Sequence, residues 1–400
     1  MALMSGGKKI SKCIIFLASP LLALPDIIYG IYRKSNFNLV LLSLFFGILS
    51  YLYVPNISND RARYFEMYYK FSSYGLNDFV INVIKARADF ILQGLVFIFS
   101  KAGISIQFLL LLVTSFTSGV WFYVFSKIAD RSKLTKGAFF LCFILVLFSF
   151  SLPDLFSGLR FYFASAFLML SFYNGFYQEK LSISLLCLVT AIFIHFSTLL
   201  FVPLYLCLRT FRYNYNGYRV LFLVSFVFVF LPKSFIASFV DVISFSEGYG
   251  TKAEVYLQGD DFIEGGISRG SASYIIVYTF STVWSYFAYL YLILTIKRES
   301  FLRNLNYLFF GAVNIFYSVT TVYSRYLIIL KFTFALLLIS ELMTYKNRKP
   351  VIIATGLFAL NIINNLIVMR YNIQESFFNT DIFLLLTILF KSITLNDFIH

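Results

Sequence analysis

The chain has 400 residues, of which 60% are hydrophobic and 13% are charged, and its net charge is +14. Apolar runs separated by short polar loops continue from one end to the other, which excludes an ordinary water-soluble globular domain. The basic excess does not indicate a nucleic-acid partner, because lysine and arginine spread over the loops between spans are what membrane orientation requires.

The hydropathy pattern predicts an all-α polytopic membrane protein with about 12 (11 to 13) transmembrane helices in one membrane domain, residues 1–400. Whether the first predicted span crosses the membrane stays open, because alternation would place Lys8, Lys9 and Lys12 outside. The predicted spans are 13–32, 37–55, 105–126, 137–153, 159–178, 181–195, 196–208, 219–240, 271–296, 304–323, 325–344, 350–369 and 380–393.

The basic loop residues identify one face as cytoplasmic under the positive-inside rule. They include Arg33, Lys34, Lys127, Arg131, Lys133, Lys136, Lys180, Arg209, Arg212, Arg219, Lys297, Arg298, Arg303, Lys346, Arg348 and Lys349. Two longer segments, about 56–104 and 241–270, then lie on the opposite face. Both are too short to be independent domains, so we expect them to roof a cavity on the outer side.

One apolar run, residues 181–208, contains a lone histidine, His195, midway between basic ends. A continuous helix of this length would measure about 42 Å, well beyond a hydrocarbon core of about 30 Å. The basic residues beyond both ends favour the same side for each end. We therefore predict a hairpin of two short helices with His195 and Ser197 near its apex, where an ionisable group is a functional candidate by default.

Several arginines fall on the outer side or in the outer halves of spans, where a guanidinium suits a carboxylate or a phosphate. They are Arg61, Arg63, Arg160, Arg269, Arg325 and Arg370. Arg160 follows a break at Pro153 and opens a predicted span, and Arg325 lies between two apolar runs. The alternative for each is an arginine at the membrane interface or a structural ion pair with an acid such as Asp60 or Asp154.

His195 can act as a base near neutral pH, and its alternative role is to stabilise the hairpin turn. Asp60 and Glu66 are other candidate bases, while Asp260 and Asp261 suit a solvated loop better than a divalent ion. No Cys/His cluster, Walker motif or dinucleotide fingerprint occurs in the sequence. We accordingly predict no metal site and no cofactor.

Short pieces of the sequence resemble the EpsG-like branch of the Wzy-type polysaccharide polymerases. They are Leu159-Arg160-Phe161-Tyr162-Phe163-Ala164-Ser165-Ala166, then Ala191-Ile192-Phe193-Ile194-His195-Phe196-Ser197, the upstream Asn59-Asp60-Arg61-Ala62-Arg63-Tyr64 and the late Tyr323-Ser324-Arg325-Tyr326. The chain departs from the family pattern at Phe161, where a glutamine is usual, and it lacks the glycine that often precedes the upstream aspartate.

The resemblance implies an enzyme of the bacterial inner (cytoplasmic) membrane with its active site facing the periplasm. Its reaction would be a glycosyl transfer that joins undecaprenyl-diphosphate-linked oligosaccharide repeat units into O-antigen, capsule or exopolysaccharide. We expect Arg160 and Arg325 to stabilise the diphosphate and His195 to activate the acceptor. Residues expected to contact substrate are Asp60, Arg61, Arg63, Tyr64, Ser197, Tyr323 and Tyr326.

The partners implied are the lipid-linked substrates, the lipid bilayer and, as an open question, a chain-length regulator, with no nucleic acid. An O-antigen ligase is the nearest alternative, but it usually carries a much larger external loop. A lipid-linked oligosaccharide flippase or transporter predicts charges near mid-membrane and repeated halves. Only Lys331 and Glu341 approach that description. A non-catalytic scaffold is the remaining alternative.

Overall fold

The computed structural model describes residues 2–54, 57, 59–86, 89–149, 151–236, 272–342, 344, 349–359, 370 and 392–398. All regular structure in these residues is helical. The helices are α1 (Ala2–Ala18), α2 (Pro20–Tyr32), α3 (Asn36–Leu52), α4 (Asp60–Ser73), α5 (Leu76–Phe79), α6 (Ile91–Lys101), α7 (Ile106–Arg131), α8 (Lys136–Leu147), α9 (Leu152–Ser157), α10 (Leu159–Phe176), α11 (Leu181–Ile194), α12 (Phe201–Thr210), α13 (Tyr215–Val224), α14 (Ala272–Leu294), α15 (Phe301–Asn314), α16 (Thr320–Leu342) and α17 (Lys349–Ala359).

The described chain also contains a π-helical turn, Val80–Ile84, and short 3₁₀ segments at Phe196–Leu200, Ser225–Phe230 and Leu395–Asp397. The predicted outer segment 241–270, with Asp260, Asp261 and Arg269, lies outside the described residues, as does most of the predicted span 380–393.

The chain divides into two compact units. Unit 1 comprises Met1–Lys127, Leu152–Thr198 and Met369–His400, and unit 2 comprises Ile128–Ser151 and Leu199–Val368.

In unit 1, α10 and α11 pack closely as an antiparallel pair joined by a short turn. The turn contains Glu179 at a φ of 58°. The helices approach closely because small residues face each other: the Ser184 hydroxyl donates to the Ser171 carbonyl at 2.7 Å and lies 3.2 Å from its hydroxyl. The buried stripe of α11 recurs at helical spacing and is formed by Ser184, Cys187, Leu188, Ala191 and Ile194. This pairing brings the start of α10 and the end of α11 to the same end of the pair.

The rest of the core of unit 1 forms around α4 and α6. Phe65, Phe71 and Phe79 pack there with apolar residues of α6 and α7. The predicted outer segment 56–104 is therefore largely helical, and it contributes the buried faces of α4 and α6 to the core of this unit. Some of its polar side chains, such as Glu66, are exposed, whereas others, such as Arg61, are buried together with the apolar faces.

Unit 2 contains a buried ionic network between α14, α15 and α16. The Glu341 carboxylate accepts hydrogen bonds from Arg303 Nε at 2.6 Å and Nη2 at 3.0 Å, from Arg298 Nη1 at 2.9 Å and from the Tyr291 hydroxyl at 2.6 Å. Both Arg303 and Glu341 are fully buried. Such a satisfied network fits a structural role, because a buried charge needs both pairing and hydrogen bonds.

Lys331 lies 5.6 Å from the centre of the Trp284 ring.

The predicted number of spans, about twelve, is not confirmed. Two described helices, α7 and α16, are long and apolar enough to cross a membrane, and eight shorter apolar helices have 10–17 residues. A helix of that length measures about 15–26 Å, less than a hydrocarbon core of about 30 Å. Many large apolar side chains are nevertheless exposed, including Leu186 and Val189 of α11 and Val220 and Val224 of α13. Such outward apolar faces are typical of lipid-facing helices.

The first predicted span, 13–32, is two helices. α1 ends at Ala18, Ser19 caps α2 through its hydroxyl, and Pro20 occupies the first turn of α2. A proline at this position lacks the N–H that would continue the preceding helix, so the chain breaks here. α1 folds back along α2, and Lys12 pairs with Asp26 at 3.0 Å. The prediction that residues 13–32 form one continuous span is therefore wrong, because the chain divides at Ser19.

Candidate functional site

The chain breaks at His195, as the hydropathy pattern predicted. His195 ends α11 in an extended conformation with φ −149° and ψ 109°, and its N–H donates to the Ala191 carbonyl at 2.9 Å. The 3₁₀ segment Phe196–Leu200 follows directly. Thr198 stabilises the break, because its hydroxyl and its N–H donate to the His195 carbonyl at 2.9 and 3.0 Å. Within unit 1, α11 packs against α10 and also contacts α6.

The His195 ring is oriented by Ser197 and Phe161. The backbone N–H of Ser197 donates to His195 Nδ1 at 3.3 Å, and the Ser197 hydroxyl lies 2.9 Å from the same nitrogen. A backbone N–H can only donate, so Nδ1 is the acceptor and the neutral ring carries its proton on Nε2. The Phe161 ring meets the imidazole edge to face, with ring centres 5.5 Å apart. The residue that departs from the family pattern thus packs against the histidine.

Arg160 lies in the first turn of α10, next to Phe161 and so at the same end of the helix pair as His195. Its Nη1 donates to the Asp89 carboxylate at 3.2 Å. The Asp89 side chain is 3% exposed and the Arg160 side chain is 30% exposed. The ion pair therefore places the carboxylate in the interior and leaves part of the guanidinium accessible.

Arg61 joins the upstream motif to the segment that precedes Arg160. Its guanidinium is 0% exposed and donates to the Ser50 carbonyl at 2.5 Å, to the Ser50 hydroxyl at 3.3 Å and to the Phe156 carbonyl at 3.2 Å. Both carbonyls belong to the last turns of helices, α3 and α9, where the helix dipole favours a cation, and the Ser50 carbonyl also accepts the Tyr53 N–H at 3.3 Å. Tyr53 contributes a ring 5.5 Å from the guanidinium carbon.

Burial lowers the pKa of Arg61 to about 9, against an opposing electrostatic contribution from Tyr53. This pKa is still well above neutral pH, so Arg61 is a buried cation. The expectation that Arg61 contacts substrate is not supported by this placement, since no part of the side chain reaches the surface.

Some of the other residues in and near the upstream motif are exposed to solvent and others are buried. Asp60 and Arg63 form an exposed ion pair at 3.0 Å, with side chains 43% and 73% exposed. Glu66 is also exposed. Tyr64 is buried in the core of unit 1, so its ring does not present a face for a sugar. Four residues of this motif were expected to contact substrate, and of these Asp60 and Arg63 are accessible to solvent.

The late motif lies in unit 2, in the first turns of α16. Arg325 is half-buried. Tyr323 and Tyr326 are buried: the Tyr323 hydroxyl lies 3.2 Å from that of Tyr289, and the Tyr326 ring packs 5.8 Å from the ring of Phe201. Both tyrosines thus serve as packing residues of this unit. Of the other arginines predicted to lie on the outer side, Arg370 is exposed.

Asp89 was not predicted from the sequence as a residue of the candidate site. A signal was present, because this acid stands directly before the apolar run that forms α6, and a carboxylate at such a position must be paired if it is buried. The pairing itself spans 71 residues and could not be deduced from spacing.

The apolar helices and the outward apolar side chains are typical of a helical membrane protein. Its sequence matches the model of the EpsG family over residues 36–380, and the chain belongs to this family of polysaccharide polymerase-like membrane proteins. The resemblance that we drew from the short motifs is thereby confirmed. No curated protein and no solved structure matches the chain.

Proposed function

We propose that the protein is a polysaccharide polymerase of the bacterial inner membrane, which joins undecaprenyl-diphosphate-linked repeat units on the periplasmic side. The observation that carries the proposal is the α10–α11 pair, which presents a partly exposed arginine and a histidine at one end. Family membership supports the reaction type, and the arrangement of Arg160 and His195 supports the assignment of roles.

In the proposed step, a hydroxyl oxygen of the acceptor sugar attacks the anomeric carbon of the donor glycan. The bond from that carbon to the diphosphate oxygen breaks, and its electron pair stays on the departing undecaprenyl diphosphate. The hydroxyl proton passes to the enzyme and then to solvent. The products are a lengthened glycan on the acceptor lipid and free undecaprenyl diphosphate, so no nucleotide is consumed.

His195 is the proposed base, and Ser197 gives it a route for the proton. Because Nδ1 accepts from Ser197, the acceptor hydroxyl would transfer its proton to the Ser197 oxygen while the Ser197 proton moves to Nδ1 across 2.9 Å. The two-residue spacing of the histidine and the serine allows the serine to reach Nδ1 with both its N–H and its hydroxyl.

Arg160 is the proposed donor to the departing diphosphate. A guanidinium at the first turn of an 18-residue helix combines its own charge with the positive end of the helix dipole, and both favour an anion. Groups that meet charge as it develops in the transition state contribute strongly to rate. Asp60 and Arg63 are proposed to contact the glycan.

A polysaccharide ladder tests the proposal. The gene is deleted in its native host and complemented with the intact protein, His195→Ala or Arg160→Ala at matched protein levels. We expect deletion to remove long chains while a single repeat unit remains on the lipid core, and each variant to lower long-chain product at least about 100-fold. Ser182→Ala, a change at an exposed serine of α11, is expected to restore the full ladder.

The outcomes separate the alternatives. Loss of every repeat from the core would indicate a ligase, and accumulation of unexported units would indicate a flippase. A normal ladder with His195→Ala would contradict the base role of His195, and a normal ladder after deletion of the gene would contradict the polymerase function as a whole.

A further inference from the structure

The Asp89–Arg160 pair joins two parts of the chain that are distant in sequence. Asp89 lies two residues before the start of α6, and Arg160 lies at the start of α10. The carboxylate is almost completely buried, whereas nearly a third of the guanidinium side chain is exposed. In an ordinary surface ion pair both groups are solvated, so this asymmetry sets the pair apart.

The position of Asp89 is fixed by the packing of α6. The neighbouring Phe90 ring lies 5.3 Å from that of Phe193 on α11, close to His195 in sequence. Further along α6, the Ser100 hydroxyl donates to the Tyr68 carbonyl of α4 at 2.8 Å. These contacts hold the start of α6 against the end of α11, so the carboxylate is held in place before any substrate binds.

The pair leaves most of the hydrogen-bonding capacity of Arg160 available. The hydrogen bond that the described residues form with this guanidinium uses Nη1 alone. A guanidinium has five N–H donors in a rigid, planar arrangement. A contact through Nη1 alone therefore leaves the edge formed by Nε and Nη2 available for an anion. A bidentate pair would have occupied that edge.

We propose that Asp89 is a positioning residue: it holds the Arg160 guanidinium so that its remaining donors meet the diphosphate of the lipid-linked donor. This inference rests on the proposed function. Asp89 acts through Arg160, much as a carboxylate that hydrogen-bonds a metal-binding histidine orients it, where loss of the carboxylate costs about 10- to 100-fold in metal affinity or activity. The orienting contact also removes the need to order a long, flexible side chain when substrate binds.

The test compares Asp89→Asn with Asp89→Leu in the purified full-length protein. Both substitutions remove the charge and keep a similar volume, so the difference between them reports the hydrogen bonding of the side chain, and the Arg160→Ala background identifies the part that depends on Arg160. The amide oxygen of asparagine can still accept from Nη1, and leucine cannot. The readout is calorimetric titration with farnesyl diphosphate, a soluble lipid diphosphate that carries no sugar, together with thermal unfolding of each variant.

We expect Asp89→Leu to bind farnesyl diphosphate about tenfold more weakly than Asp89→Asn. In an Arg160→Ala background, this difference should disappear. Asp78→Asn, at an exposed carboxylate in the same region that accepts from the Gly75 N–H at 2.8 Å, should bind like the wild type. If Asp89→Leu fails to fold, Asp89→Ala takes its place in the comparison.

Two results would overturn the inference while leaving the proposed function intact: equal binding by the leucine and asparagine variants, or a difference that persists without Arg160. A wild-type protein that does not bind farnesyl diphosphate would instead contradict the diphosphate role of Arg160, and the role of Asp89 with it.

Discussion

Arg61 and Arg63 are two residues apart in one motif, yet they have opposite surroundings. Arg61 is fully buried and caps the carboxyl ends of α3 and α9, whereas Arg63 is exposed and pairs with Asp60. On a helix, positions two apart point in different directions, so one faces the interior when the other faces solvent. The identity of a charged residue in a motif therefore does not determine whether it can touch a substrate.

The difference predicts distinct effects on stability. Arg61→Met should lower the free energy of unfolding by about 2 kcal/mol, because the Phe156 carbonyl loses its Arg61 donor, at a cost of about 1–3 kcal/mol, and the Ser50 carbonyl keeps only the Tyr53 N–H. Arg63→Met removes an exposed pair and should change it by less than about 1 kcal/mol. Thermal unfolding in detergent measures both. Equal stability of the two variants would show that the buried contacts of Arg61 are not needed.

At the scale of elements, the α10–α11 pair is the feature that creates the candidate site. Its buried stripe consists largely of small residues, which lets the two backbones approach and allows Ser171 and Ser184 to hydrogen-bond across the interface. The register of this contact places Phe161 against His195. The site geometry thus depends on side chains a helix length away from it.

Enlarging the interface should disturb the site. Ser184→Leu adds volume to a closely packed position, for which overpacking costs about 1–3 kcal/mol, and it removes the bonds to Ser171. We expect a lower unfolding temperature and less long-chain polymer. The same substitution at Ser182, which is exposed on α11, is the matched control and should leave both unchanged. Similar losses at the two positions would argue against close packing as the cause.

At the scale of the whole molecule, unit 1 is assembled from segments that are far apart in sequence. The Ile393 N–H donates to the buried Gln107 side chain at 2.9 Å, and Gln107 in turn donates to the Tyr51 carbonyl at 3.1 Å. The Phe398 ring packs edge to face on Phe65 of α4, with centres 5.2 Å apart. The last described segment therefore completes the core that holds α3, α4 and α7.

Phe398→Ala should accordingly destabilise the protein by about 3–5 kcal/mol, the usual cost of removing a buried phenylalanine ring. Phe230→Ala, at a strongly exposed position, provides the control and should have little effect. Chemical or thermal unfolding of the two purified variants gives the comparison. A Phe398→Ala protein as stable as the control would mean that this segment is not required for the core.

The bounds of some helices were predicted from the sequence, whereas the break between α1 and α2 was not. The bounds of α10 and α11 and the break at His195 follow from hydropathy and length, because these are local properties of the chain. The division of residues 13–32 at Ser19 was missed, although Pro20 carried the signal. Hydropathy averaged over a window does not register a single backbone N–H, and one missing N–H suffices to break a helix.

The amino-acid sequence by itself determined the class of protein and the helical character of the chain, and it identified Arg160 and His195 as candidate site residues. Apolar content and short motifs are local properties that can be recognised without the fold. Only the tertiary structure decided which polar residues are accessible: it buried Arg61, Tyr64, Tyr323 and Tyr326 and paired Arg160 with Asp89. The physical reason is that burial and ion pairing depend on contacts between segments that are distant in sequence. The energies of these contacts cannot be deduced from a local sequence pattern.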